Sequence, residues 1–299
     1  MNFDELTWSD HPANPLIEPP WPEWMIADPT VLLPSESPDG KWHLFANSVW
    51  GIHHHTSEDG ISWARGKRLF PGIRSFVIKH TGAYYIFNEV FLKPFETGIV
   101  VRRSEDLETW SEPKVALPVS RAWHKGILNA CSCPCVVPHG DGFMMFYSAS
   151  VILLPDCLFF EPKYIGVARA SNIEGPYEPD ETPAISPDMH NPLRNFGAGA
   201  IKVVFDEQTG TFWGFNNGIY KDERGRSRSS IMILKSGDGT HWMQAVEEPI
   251  LKPEPGWKKA LVYALDIKID GDRAYLYYNA RDGWFIGSER IGLAIGRKA

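Results

Sequence analysis

Residues 24–33 read Trp24-Met25-Ile26-Ala27-Asp28-Pro29-Thr30-Val31-Leu32-Leu33, an apolar and β-branched run that predicts a buried strand. Asp28 places a carboxylate at the start of this strand, and Pro29 removes a backbone donor and favours an extended preceding residue. Two explanations are open for the charge. Asp28 is either a turn aspartate bonded to nearby amides or a carboxylate directed into a cavity where several such strands converge.

A turn motif recurs along the chain. Each copy combines a polar turn after a strand with an aromatic residue that begins the next strand, which is the pattern of a β-hairpin. The copies occupy residues 56–63 (TSEDGISW), 103–110 (RSEDLETW) and 235–242 (KSGDGTHW), with a degenerate copy at 170–177 (ASNIEGPY). Repeats spaced by roughly 50 to 70 residues in an all-β chain indicate the blades of a propeller.

Five pairs of apolar strands accompany these turns. The first strands of the pairs lie near residues 31–33, 76–78, 135–137, 201–205 and 265–269. The fifth unit continues into a third strand at 290–296 and leaves no residues for a fourth, so we expect residues around 6–16 to supply its outer strand and close the ring. The sequence therefore predicts an all-β class and a single five-bladed β-propeller domain over residues 1–299.

Composition agrees with this prediction. A chain of 299 residues fits one large all-β domain or two smaller ones, and 43% hydrophobic residues supply ample core. The 12 Trp, 10 Tyr and 16 Phe, together with 26 Gly and 24 Pro, are typical of many short strands joined by tight turns.

Charge and targeting signals limit the partners and the location. A net charge of −7 without a run of Lys or Arg argues against nucleic acid and against an anionic membrane surface. No apolar stretch approaches the roughly 20 residues that span a bilayer. The acidic start at residues 1–5 is unlike a secretory signal, and four cysteines do not make a disulfide scaffold, so we expect a cytoplasmic protein.

The Trp-x-x-x-Asp-Pro start, the five β units and the Ser-x-Asp-Gly-x-x-Trp turns resemble the five-bladed propeller glycosidases. This superfamily contains the arabinanases, β-xylosidases, invertases and levansucrases, including glycoside hydrolase families 32 and 43, and the related mannoside phosphorylases. The resemblance covers nearly the whole chain. It implies a glycoside hydrolase whose partner is a small carbohydrate or glycan bound at the propeller axis. It allows a central metal ion, which some members hold, and implies no other cofactor.

Three acids act together in that superfamily. Cleavage of a glycosidic bond needs one carboxylate as base or nucleophile and one protonated carboxyl as acid, and a further acid tunes the pair by like-charge repulsion. The resemblance assigns the base to Asp28. Alignment on the following proline places Cys133 where the second aspartate is expected, and glycine and alanine at 197–200 stand where the acid glutamate is expected.

The general acid must therefore come from another position. The candidates are Glu89, Glu161, Asp188 and Asp266. Asp266 is favoured because a carboxylate inside an otherwise apolar inner strand is costly unless it has a partner or a role.

Two further clusters have structural explanations. Cys131, Cys133 and Cys135 alternate, so on a regular strand all three face one side, and buried small hydrophobic residues explain them better than zinc ligands or a Cys133 nucleophile activated by His124. Residues 53–55 are three consecutive histidines. We interpret them as a half-exposed histidine pair on a third strand rather than a metal site, because a third ligand is not evident.

Aromatic and polar residues near the ends of the inner strands are candidates for substrate binding, because loops on a rigid scaffold carry specificity. They are Trp24, Trp123, His124, Asn129, Arg194, Asn195, Tyr263 and Arg281. Two alternatives to hydrolysis remain. One is phosphorolysis, with Arg121, Arg194, Lys258 and Arg281 holding phosphate, and the other is a carbohydrate-binding propeller without catalysis.

Overall fold

The computed structural model describes residues 1–298, which form twenty β-strands and two three-residue 3₁₀ turns, Phe3–Glu5 and Ala122–His124. The first ten strands are β1 (Leu6–Asp10), β2 (Ala27–Leu32), β3 (Trp42–Ser48), β4 (Gly51–Ser57), β5 (Lys67–Phe70), β6 (Ile73–His80), β7 (Ala83–Lys93), β8 (Glu96–Ser104), β9 (Lys114–Leu117) and β10 (Cys131–His139). The others are β11 (Gly142–Leu154), β12 (Phe159–Ala170), β13 (Glu178–Pro179), β14 (Ile201–Asp206), β15 (Thr211–Lys221), β16 (Ser227–Ser236), β17 (Met243–Gln244), β18 (Leu261–Asp270), β19 (Arg273–Arg281) and β20 (Glu289–Lys298).

The strands form five four-stranded antiparallel sheets, so the predicted five-bladed propeller is confirmed. Blades 1 to 4 are consecutive meanders, β2–β5, β6–β9, β10–β13 and β14–β17. Blade 5 has the order β1-β20-β19-β18, in which Leu6 pairs with Lys298 and Asp10 with Ala294. The N-terminal strand therefore supplies the outer strand of the last blade, as predicted, and joins the two ends of the chain.

The repeated turn motif lies between the third and fourth strands of blades 1, 2 and 4. In the first copy, Asp59 Oδ1 accepts hydrogen bonds from the amides of Ile61 (2.8 Å) and Ser62 (2.7 Å). These backbone donors lower the pKa of Asp59 to about 2. Asp106 and Asp238 make the same pair of bonds in their own turns. Blade 5 needs no copy because β1 arrives from the other end of the chain.

Side chains link the inner strands, which do not pair with one another. Asp266 Oδ2 in blade 5 accepts from the Val31 amide (2.7 Å) and from the Thr30 hydroxyl (3.1 Å) in blade 1. Thr30 Oγ1 accepts in turn from the Val77 amide (3.0 Å) in blade 2. Buried backbone donors need partners, so these side chains join three blades around the axis.

The expectation that the three cysteines of β10 share one face was wrong. A β-bulge between Ser132 and Cys135 breaks the alternation of the strand. Cys131 lies 3.4 Å from His124 Nδ1, whereas Cys135 Sγ accepts from the Val203 amide (3.2 Å) of blade 4. The interpretation of Cys131, Cys133 and Cys135 as buried residues is confirmed, and Cys157 is also a buried free thiol.

We predict that Phe3→Ala lowers the free energy of unfolding by about 3 to 5 kcal/mol, the usual cost of deleting a buried aromatic ring. Phe3 is 1% exposed and packs edge-on against Phe215 (5.1 Å) and Trp213 (5.7 Å), which anchors the segment leading into β1. Urea denaturation measures the change. Met243→Ala, on the exposed side of β17, is the control, and equal effects of the two changes would contradict this closure of the ring.

Candidate active site at the propeller axis

A β-bulge begins the inner strand of four blades. One extra residue is inserted between Ala27 and Thr30 in β2, and the same irregularity occurs in β6, β10 and β18. A bulge bends its strand and redirects a side chain. The bulges therefore turn side chains at the axis end of each strand toward the centre of the propeller.

The bulge residues of blades 1 to 3, and a glycine just before the inner strand of blade 4, have a left-handed backbone. Asp28 (φ 54°), Arg74 (φ 54°) and Cys133 (φ 48°) adopt it in blades 1 to 3, and Gly199 (φ 68°) adopts it in blade 4. The expectation of an extended residue before Pro29 was therefore wrong. A positive φ costs a non-glycine residue about 1 to 2 kcal/mol, and the fold accepts this cost at three residues that line one axial cavity.

Arg74 carries the positive charge at the centre of the site. Its guanidinium Nη1 donates to Glu89 Oε2 at 2.8 Å, and Glu89 is 2% exposed. Burial lowers the pKa of Arg74, but the nearby acids, with Glu89 the largest contributor, more than offset burial and raise the pKa well above its usual value. Arg74 therefore stays charged and compensates several buried acids.

Asp28 lies beside this cation. Its amide donates to Asn279 Oδ1 (3.1 Å), which holds the backbone of the bulge, while the carboxyl lines the cavity. Burial raises the pKa of Asp28 above its usual value, and Arg74, Lys202 and Asn47 offset only part of this rise. The backbone amides of the turn do not engage the Asp28 carboxylate, so the explanation as a cavity carboxylate is the one that fits.

Glu161 and Glu289 supply two further acids to the same cavity. Burial raises the pKa of Glu161 to about 8, with Arg74 opposing the change and Glu289 and Asp28 adding to it. Glu161 is therefore largely protonated at neutral pH. Burial also raises the pKa of Glu289, and Tyr263 and Arg281 offset part of this rise. Glu289 Oε1 accepts a hydrogen bond from Arg281 Nη1 at 3.2 Å. Three carboxyls whose pKa values are raised by burial, those of Asp28, Glu161 and Glu289, thus face one cavity.

The β11–β12 hairpin covers the cavity. Its returning strand carries Phe159, Phe160 and Glu161, all three of which line the cavity. Phe159 packs against the Arg281 guanidinium (4.4 Å) and edge-on against Trp24 (6.1 Å). The cavity has a volume of about 70 Å³ and narrows toward Lys202 and Phe215 into an extension of about 20 Å³.

The structure brings together several residues that the sequence analysis named. Asp28, Glu161 and Tyr263 line the cavity, and Glu89 lies directly behind it on Arg74. Arg281 and Trp24 lie at its outer edge, where the Arg281 guanidinium is 5.3 Å from the Trp24 ring.

Asp266, favoured on sequence as the acid, does not reach the cavity. It follows the bulge of β18 and bonds Val31, Thr30 and its neighbouring Ile267 amide (3.0 Å). The reasoning that a buried carboxylate needs a partner was sound, but the partners are the Thr30 hydroxyl and the Val31 amide of the adjacent blade and the Ile267 amide of its own strand. The position gives Asp266 a structural role.

Trp123 and His124 lie within blade 3, away from the cavity. His124 Nε2 is 2.8 Å from the Tyr147 hydroxyl, and Trp123 stacks on the Tyr147 ring and donates through Nε1 to Glu181 O (3.0 Å). Burial lowers the pKa of His124 to about 4. Both side chains hold the loop before β10 in place.

Two of the remaining predicted binding residues have local partners. Asn195 Oδ1 accepts from the Lys221 amide (2.9 Å), and Asn129 Oδ1 accepts from the Gly126 amide (3.4 Å). Arg194 Nε is buried and has no hydrogen-bond partner within residues 1–298. None of these side chains lines the axial cavity.

The basic residues that a phosphate site would require are not gathered. Arg121 pairs with Glu178 (2.7 Å) in blade 3, whereas Lys258 pairs with Asp10 (2.5 Å) in blade 5. Arg281 is engaged by Glu289. Phosphorolysis therefore gains no support from these four residues.

Arg74 and Glu289 are charged residues of the site that the sequence analysis missed. Arg74 could have been identified from the sequence. Arg74-Ser75-Phe76-Val77 occupies the same place in β6 as Asp28-Pro29-Thr30-Val31 in β2. Glu289 begins β20 opposite Arg281, and that register becomes visible only when the last two strands are paired.

The three histidines of β4 are buried rather than half-exposed, which corrects the expectation. His53 bonds Ser48 (2.9 Å), His54 bonds His43 (2.7 Å), and His55 bonds Ala64 O (3.2 Å). Within residues 1–298, no group of three or more His, Cys, Asp or Glu side chains is arranged to hold a metal ion. The axis does not fit a central ion, since Arg74 and Lys202 lie beside Asp28.

Solved structures with the same architecture were found by comparison. An N-acetylgalactosamine deacetylase from F. plautii in complex with blood group B trisaccharide matches with a TM-score of 0.70 and 12% identity, over 97% of this chain and 95% of that chain. The α-L-arabinofuranosidase from Podospora anserina in complex with cellotriose matches with a TM-score of 0.67 and 14% identity, over 98% of both chains. A thermostable family-43 glycoside hydrolase matches with a TM-score of 0.69 and 15% identity, over 90% and 88%.

The chain has the fold of the five-bladed propeller glycoside hydrolases. No protein-family model matches it, and no curated protein matches its sequence. Helices long and apolar enough to cross a bilayer are absent from residues 1–298. At these identities the comparisons establish the fold, and the chemistry has to be argued from the propeller's own axial residues.

We predict that none of the four cysteines reacts with dithionitrobenzoate at pH 8 in the native propeller and that all four react after unfolding. Burial raises the pKa of Cys133, Cys135 and Cys157 to about 11 and that of Cys131 further, which keeps the thiols protonated. The absorbance of the released thionitrobenzoate gives the number of reactive thiols. Rapid labelling of Cys133 would reopen its role as a nucleophile.

We predict that Glu161→Gln becomes more stable than the wild type as the pH rises from 5 to 9. The folded state holds the proton of Glu161 to about pH 8, against 4.5 for the unfolded chain, so the wild type loses stability across this range. Glutamine does not ionise, so the variant does not lose stability in this way. Calorimetry should show a Tm difference that grows by about 5 °C or more. The exposed Glu207→Gln is the control, and a pH-independent difference would refute a protonated Glu161.

Proposed function

We propose that this protein hydrolyses a glycosidic bond in a small carbohydrate or glycan, with Asp28 as the base and Glu161 as the general acid. The observation that carries the proposal is the pairing of two carboxyls in one axial cavity, Asp28 beside the charged Arg74 and Lys202 and Glu161 with a pKa of about 8. Such a pair is what glycoside hydrolysis requires. Structural neighbours that are glycoside hydrolases support the proposal through the fold.

Glu161 is suited to protonate the leaving oxygen. Its raised pKa keeps the proton available at neutral pH, and the nearby Arg74 stabilises the anion that forms once the proton has left. Proton donation by a positioned acid typically contributes a factor of about 10² to 10⁴ to the rate. Arg74 therefore stabilises the Glu161 carboxylate after proton transfer, whereas the proton itself comes from Glu161.

Asp28 is suited to accept a proton from the attacking water. Arg74 and Lys202 favour its ionised form, which opposes the effect of burial. The water oxygen then bonds to the anomeric carbon as the bond to the leaving oxygen breaks, and the two protons end on Asp28 and on the leaving group. Electrons and protons balance with water as the only co-reactant.

The departures from the superfamily pattern fit this assignment. Cys133 keeps the bulge geometry of the second aspartate position without its charge, and Gly199 in blade 4 has no side chain to act as an acid. Glu161 comes instead from β12 in blade 3, and Glu289 supplies a second negative charge that raises its pKa. We propose that the acid has moved to a neighbouring strand rather than been lost.

We predict that Asp28→Asn and Glu161→Gln have different leaving-group dependence. Asp28→Asn should lower kcat/KM by about 10² to 10⁴ for methyl and 4-nitrophenyl glycosides alike, because both need the base. Glu161→Gln should impair methyl glycosides by a similar factor and 4-nitrophenyl glycosides much less, because nitrophenolate leaves without a proton. Initial rates measure this leaving-group dependence on methyl and 4-nitrophenyl pairs of arabinosides, xylosides, mannosides and fructosides.

The controls separate the alternatives. Asp266→Asn keeps an oxygen acceptor for the Val31 amide and should retain kcat/KM within about tenfold, while lowering Tm. Turnover that requires added phosphate would indicate phosphorolysis, and sugar binding without turnover by any variant would indicate a binding propeller. Either result, or equal leaving-group dependence of the two variants, contradicts the acid and base assignment.

A further inference from the structure

The loops that surround the axial cavity expose large apolar side chains. Loops joining the second and third strands of each blade lie at the same end as the bulges, because each inner strand starts at that end and the second strand returns to it. Phe95 in blade 2, Leu158 in blade 3 and Ile286 in blade 5 lie in these loops and are 79%, 59% and 86% exposed. Exposed apolar side chains gathered in this way mark an interaction surface.

These side chains line two clefts on either side of Phe160. One cleft, of about 550 Å³, is lined by Phe91, Phe95 and Ile127. The other, of about 760 Å³, is lined by Trp24, Leu158, Phe285 and Ile286. Phe160 lines both clefts and also the axial cavity, so the three spaces adjoin at this side chain.

The charged side chains that line the clefts are already engaged. Lys93 in the first cleft pairs with Glu96 (3.1 Å). Arg281 in the second pairs with Glu289 and donates to Gly283 O (2.7 Å). A sugar unit in either cleft would find few free partners for its hydroxyls, and buried hydroxyls without partners are costly. The clefts are thus suited to apolar groups.

We propose that the substrate is a glycoside with an apolar aglycone, such as an alkyl, terpenoid or lipid chain. The sugar enters the axial cavity toward Asp28 and Glu161, and the aglycone lies in one of the two clefts. This inference rests on the proposed hydrolase function. A second copy of the chain on the same surface would cover the mouth of the cavity, which disfavours it as the occupant.

The experiment compares octyl and methyl glycosides that carry the same sugar. Isothermal titration below the critical micelle concentration measures their binding to the full chain, with Asp28→Asn replacing the wild type for any pair that is turned over. The octyl member of each xyloside, glucoside, galactoside and mannoside pair should bind at least tenfold more tightly. Phe95→Ser or Ile286→Ser should reduce this preference severalfold, and Met243→Ser, exposed on the outer strand β17, should leave it unchanged.

The outcomes separate this inference from the proposed function. Equal binding of octyl and methyl members, or an octyl preference that survives both cleft variants, overturns the apolar aglycone. So does a dimer, seen by sedimentation, whose dissociation is needed before octyl glycosides bind. Octyl preference without hydrolysis supports the clefts and contradicts the hydrolase, whereas hydrolysis of methyl and octyl glycosides with equal kcat/KM supports the hydrolase and overturns the inference.

Discussion

The buried Arg74 guanidinium is the interaction on which the axial site depends. A charge removed from water is tolerated only when it is paired, and Arg74 is paired with Glu89 at 2.8 Å. The same cation lowers the pKa of both Asp28 and Glu161 against the effect of burial. Without it, the negative charges at the axis would repel one another at close range, and Asp28 would lose the interaction that favours its ionised form.

The bulges place these charges where they interact. Asp28 and Arg74 take the same left-handed backbone at the same position of neighbouring inner strands, so their side chains converge on one cavity. Strained residues of this kind persist only where the surrounding structure holds them. Links between blades, such as the bond from the Asp28 amide to Asn279 in blade 5, provide that support. The strain, the links and the buried charges form one connected arrangement.

The sequence was informative about the fold because the fold is repetitive. The turn motif and the alternation of apolar strands predicted the blades, and the missing outer strand of the fifth unit predicted the pairing of β1 with β20. Asp28 was identified from a single strand because its charge conflicts with its apolar surroundings. Local pattern sufficed for these features.

The rest of the site depends on register and on contacts between blades, which a linear pattern does not contain. Asp266 and Asp28 are similar in sequence terms, since both are acids in inner strands, yet Asp266 lies past its bulge and bonds the backbone of blade 1. The extra residue of the β10 bulge breaks the alternation of side chains, so Cys131, Cys133 and Cys135 do not share one face of the strand. Glu161 reaches the axis because the β11–β12 hairpin is long enough to cover the cavity.

The most direct test of this account is a carbon-13 NMR titration of the chain labelled at the glutamate carboxyls, with Glu161→Gln used to assign the signal. The account predicts that the Glu161 carboxyl titrates near pH 8 and that its signal is absent from the variant. If every glutamate carboxyl titrates below about pH 6, close to the ordinary range, the cavity holds no neutral acid and the pairing with Asp28 fails.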